Sequence, residues 1–85
     1  EFKIVKDELT NEKLDGESAE FSHIRSVTMY PEFSEFIWNG LIVNKKTHNI
    51  ITSETVNDEE QLYSLCFRLG WNIQWYDKYK EIINN

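Results

Sequence analysis

Leu41-Ile42-Val43-Asn44-Lys45-Lys46-Thr47-His48-Asn49-Ile50-Ile51-Thr52 is the stretch on which the fold turns. Two runs rich in β-branched residues, 41–43 and 49–52, flank a polar link, 44–48. That pattern predicts a β-hairpin over 41–52, and with it an antiparallel sheet. Upstream, Phe2-Lys3-Ile4-Val5 reads as a short opening strand. Residues 21–30 alternate, with Phe21, His23, Arg25, Val27 and Met29 on one side, which predicts a second strand. Pro31 ends it and suits the first position of a short helix over 31–38, where Phe33, Phe36 and Ile37 share one face. Asn39-Gly40 stops that helix, although the same dipeptide is also a strong hairpin turn.

Downstream, Asn57 can cap a helix, and Glu60 completes a capping box. Leu62, Leu65, Cys66 and Leu69 then recur at helical spacing, and Gly70 ends the run. Trp71, Trp75, Tyr79, Ile82 and Ile83 keep to one helical face with Asn72 as a cap, while 71–76 also has the composition of a strand. The expected order is β-β-α-β-β-α-α. This is an α+β fold in which a small antiparallel sheet of about four strands packs against two or three helices.

Eighty-five residues give room for one domain, 1–85, with a core that buries about 60% of the unfolded surface. Twelve aromatic residues strengthen that core. Cys66 is the sole cysteine, so no internal disulfide framework exists, and a reducing, cytoplasmic setting is expected. No apolar run approaches membrane-span length. The richness in Lys, Asn and Ile fits a low-GC bacterium or its phage.

The net charge of −6 is unevenly spread. Residues 1–20 hold seven acids against three lysines, 21–56 balance at three and three, and 57–85 hold five acids against three bases. The stretch 6–20 is charged, poor in apolar residues and carries the turn signal Asp15-Gly16, so it reads as a mobile acidic loop. An acidic surface repels polyanions and attracts basic proteins.

Catalytic and metal chemistry is poorly supported. His23, His48 and Cys66 form no ligand pair of metal-binding spacing, and no metal or other cofactor is expected. Asn11-x-Lys13-x-Asp15-Gly16 echoes a calcium loop but has Lys13 at a ligand position and Ser22 where the bidentate Glu belongs. Cys66 lies on the apolar face of its helix, where a thiol is inert. Glu32 and Glu35 sit on a solvated face, and the isolated glycines make no phosphate loop. No catalytic residue is assigned, and a non-enzyme is expected.

Two binding readings remain. The first is an acidic protein-binding module, an inhibitor or immunity-type protein covering a basic, nucleic-acid-binding site on a target such as a nuclease. It would use Asp7, Glu8, Glu12, Asp15, Glu17, Asp58 and Glu59, with Trp38 and Tyr76 as exposed rings. Carboxylates suitably spaced would imitate phosphates. The second is a nucleic-acid-binding domain, with Lys45 and Lys46 at the hairpin tip and Trp75, Lys78, Tyr79 and Lys80 on an aromatic helix. Neither reading involves a membrane or a small-molecule substrate, and homo-oligomerisation stays open.

Overall fold

The hairpin expected over 41–52 is instead a strand followed by a helix. The computed structural model describes residues 6–15, 17 and 19–84. The opening strand expected at 2–5 lies outside them. Strand β1 (Ala19–His23) pairs antiparallel with β2 (Gly40–Asn44), Phe21 opposite Ile42. The chain then turns into α1 (Lys45–Ser53), followed by α2 (Glu59–Leu69) and α3 (Gln74–Ile83). The described residues thus form a small α+β fold, a two-stranded antiparallel sheet packed with three helices; the expected four strands and their order are not confirmed among them.

The cause of the switch at Lys45 is distant in sequence. The Asp7 carboxylate accepts hydrogen bonds from the Asn44 N–H at 2.9 Å and the Thr47 hydroxyl at 2.7 Å. It thereby anchors the N-cap residue and a side chain of the first turn of α1, while the Asn44 side chain caps no N–H of that turn and bonds Lys13 O and the Asp15 N–H. Thr47 and Ile51, four residues apart, then form the buried face of α1. Helical period and a tertiary anchor at the helix start override the β-propensity of Ile50 and Ile51.

Residues 6–15, within the stretch that the sequence reads as a mobile loop, make hydrogen bonds of their own and to β2. Lys6 and Lys13 face each other in an antiparallel bridge, closed by Asp7 N–H to Glu12 O and Asn11 N–H to Asp7 O. Glu8 lies along β2: its N–H bonds Ile42 O, and its carboxylate accepts the Ile42 N–H at 2.7 Å. The backbone N–H and C=O of Ile42, in the middle of β2, are thereby satisfied.

The strand expected over 21–30 ends at His23, and the helix expected over 31–38 is two short 3-10 turns, Pro31–Phe33 and Ile37–Asn39. Asn39 causes this irregularity. It is fully buried, and its amide binds Arg25 N–H, Arg25 O and Phe33 O while accepting from the Tyr79 hydroxyl. Gly40 follows the second 3-10 turn as its C-cap, but not in the left-handed conformation expected of a glycine cap, and it is not a hairpin turn. It opens β2 in extended conformation, and a Cβ there would fall inside the Phe21 ring.

Helix α2 begins one residue later than its sequence suggests. Asp58 is the cap, accepting the Gln61 N–H at 2.9 Å, and Gln61 reaches back to the Asn57 N–H at 2.7 Å. Gly70 ends it in the left-handed region at φ 75°. Asn72 then joins α3 to the N-terminal segment through Glu8 O and Leu9 O. Leu9, Ile24, Leu41, Val43, Ile51, Leu62, Leu65, Cys66, Trp75 and Tyr79 make up the core. No helix among the described residues is long and apolar enough to cross a membrane.

Candidate protein-binding groove

Between the sheet and α3 lies an open groove of about 760 Å³. Phe21 and Leu41 line it from the sheet, and Trp75, Tyr79 and Ile82 from α3. Its floor is fixed. The Tyr79 hydroxyl donates to Asn39 Oδ1 at 2.7 Å, and burial pushes this phenol up to about 12, so it stays a neutral donor. The Trp75 indole N–H donates to Asn72 O at 3.0 Å.

The lip comes from the second 3-10 turn. Trp38 packs on Tyr79 and stacks on Phe36 with ring centroids 5.0 Å apart. Beside it Ile37 is 84% exposed and Phe36 is 46% exposed. Glu8, Asn72, Gln74 and Lys78 supply the polar rim, but Glu8 and Asn72 already hold backbone partners. Such a surface can take an apolar side chain and exclude water around it.

The acidic residues singled out in the sequence do not form one surface. Asp7 is 1% exposed and inside the fold. Burial raises its carboxyl, but hydrogen bonds from Asn44, Thr10, Thr47 and Leu9 outweigh that and hold it below the ordinary range. Glu59, 4% exposed, receives Arg25 through Nε at 2.8 Å and Nη2 at 3.0 Å. Those bonds pull it down to about 2. Both therefore drop out as partner contacts, because a paired buried carboxylate cannot reach a second protein. Glu8 covers β2, Glu12 pairs with Lys46 at 3.1 Å, and Asp58 caps α2. Asp15 and Glu17 stay exposed. Trp38 and Tyr76 are half-buried, the Tyr76 hydroxyl bonding the Glu60 carboxylate.

The aromatic half of the nucleic-acid reading is corrected likewise. Trp75 and Tyr79 are core, and Lys80 is tied to Glu59 and Glu60, which leaves Lys78 alone exposed on α3 from that set. Lys45 and Lys46 open α1 instead of tipping a hairpin. His23 contacts Ser34 O, and His48 contacts Glu20 at 2.5 Å. Burial pushes the Cys66 thiol up to about 11, so it stays protonated at neutral pH. Among the described residues no three His, Cys, Asp or Glu side chains gather to hold a metal.

Ile37 and the groove were missed because Phe33, Phe36 and Ile37 have core-like spacing. The available signal was shortness: Pro31 and Gly40 leave too few residues for a helix that could bury all three. No protein-family model matches this chain, and neither do the curated proteins nor the solved structures.

Proposed function

We propose that this chain is a small protein-binding module that holds its partner in the groove between the sheet and α3. The observation that carries the reading is the pairing of a firm apolar floor with a protruding apolar lip, Ile37 at 84% exposure and Phe36 at 46%. Large apolar side chains left in water beside a well-packed pocket are the usual anchors of protein interfaces. The partner is a basic protein. A net charge of −6, with Asp15, Glu17, Asp77 and Glu81 exposed, draws it in and speeds encounter. If that partner binds nucleic acid, the module acts as an inhibitor by covering the site. Steering, not imitation of a phosphate row, is the role left to the acids, since Asp7 and Glu59 are engaged inside the fold.

The test is affinity capture followed by calorimetry on the purified pair. Ile37→Asp should weaken binding at least about tenfold, through faster dissociation. Neutralising Asp15 and Glu17 should slow association and reduce its salt dependence. Capture of no protein, or equal affinity for Ile37→Asp, would reject the reading. Unchanged partner activity in the complex would remove the inhibitor role.

A further inference from the structure

Away from the acids, the fold gathers lysines that the sequence scatters. Lys6 and Lys13 are opposite one another in the antiparallel bridge, so both side chains leave the same side of that turn. The Asn44 amide donates to Lys13 O at 3.1 Å, which sets the bridge beside the start of α1, where Lys45 and Lys46 follow. All four are exposed. They are four of the nine Lys and Arg residues in the chain.

The nearby acids are largely spoken for. Asp7 is buried against the Asn44 N–H and the Thr47 hydroxyl, at the start of α1. Glu12 is engaged by Lys46. Asp15, held through its N–H by Asn44 Oδ1, borders the patch, with exposed Glu17 bonded next to it. Lys6, Lys13 and Lys45 make no ion pair among the described residues.

We propose that this lysine cluster is a second interaction surface, one that contacts the phosphate backbone of nucleic acid. Phosphates favour the cluster over an acidic protein for a physical reason. The patch offers mobile point charges without a large apolar anchor, the nearest exposed apolar side chain on α1 being Ile50, a turn beyond Lys46. Protein interfaces draw most of their energy from such anchors, whereas backbone binding needs only cations. Contact is therefore independent of base sequence. It uses none of the groove residues, so it stands or falls apart from the protein-binding reading.

The experiment is fluorescence anisotropy of a short labelled DNA duplex titrated with the whole chain. Three neutralised phosphates predict an affinity loss of about 40-fold between about 50 and 200 mM salt. The triple variant Lys6→Gln/Lys13→Gln/Lys45→Gln should abolish binding while circular dichroism shows an unchanged fold, and Lys78→Gln should bind as the parent does. No binding at the lower salt, or undiminished binding by the triple variant, overturns the proposal. Equal competition by poly-glutamate overturns it too, because the surface then reads acidic proteins. Should the triple variant fail to fold, the single variants Lys13→Gln and Lys45→Gln must each weaken binding several-fold.

Discussion

One buried amide, Asn39, ties four parts of the chain together. Its oxygen accepts from the Arg25 N–H at 3.0 Å and the Tyr79 hydroxyl at 2.7 Å, and its nitrogen donates to the carbonyls of Arg25 and Phe33. That uses two acceptor and two donor positions, the full capacity of the side chain. Asn39→Ala would take this partner from the Arg25 N–H and C=O and from the Tyr79 hydroxyl, with Phe33 O keeping the Phe36 N–H, and should cost about 3 kcal/mol or more in urea unfolding. Tyr79→Phe removes one partner of the same network and should cost about 1 kcal/mol. Equal losses for the two variants would contradict a hub at Asn39. Glu59 gives the residue scale its pH dependence. The bidentate bond from Arg25 lowers its pKa from 4.5 to about 2 in the folded state. A depressed folded value means that the native state favours the ionised form. The resulting stability, about 3 kcal/mol, is complete above pH 4.5 and lost as pH falls to about 2. Urea midpoints measured across that window should decline steeply for the parent protein. Glu59→Gln should start lower at neutral pH but decline less; a parallel slope would show that other carboxylates control acid unfolding.

Between elements, the contrast is between helices capped locally and one anchored from afar. For α2, the cap, the leucine spacing and Gly70 all lie within the segment, and the sequence reading misses its start by one residue. Helix α1 could not be read that way, because the carboxylate that anchors its start, through the Asn44 N–H and the Thr47 hydroxyl, is Asp7, 37 residues before Asn44. Without that partner visible, the β-branched Ile50, Ile51 and Thr52 look like a strand. Asp7→Ala should therefore cost roughly 3 kcal/mol, since it leaves buried N–H groups and the Thr47 hydroxyl unpaired. Amide exchange in the first turn of α1 should accelerate ahead of α2 and α3. Asp58→Ala, at the exposed cap of α2, should cost only about 1 kcal/mol. Uniform acceleration across all three helices in Asp7→Ala would mean that the carboxylate supports the whole core and not one helix end. The two 3-10 turns were illegible for a related reason. Their shape is set by Asn39 reaching back to Arg25 and Phe33, which no local pattern encodes.

At the scale of the molecule, the groove and the lysine cluster draw on different residues, and both are cheap for the fold to carry. Ile37, exposed almost throughout, contributes little to the core, whereas Leu41 beneath it on β2 is 7% exposed. Both residues have the same apolar character in sequence; burial separates them, since Leu41 belongs to the core cluster with Trp75 and Tyr79 while Ile37 does not. Ile37→Asp should accordingly leave unfolding stability within about 0.5 kcal/mol of the parent, because a surface side chain loses no buried contact. Leu41→Asp places an unpaired charge in the core and should prevent stable folding. A stable Ile37→Asp protein that no longer holds its partner separates binding from folding, as a dedicated interaction site requires. If Ile37→Asp instead unfolds with Leu41→Asp, the lip belongs to the core, the groove is closed in solution, and the partner must be sought on another face.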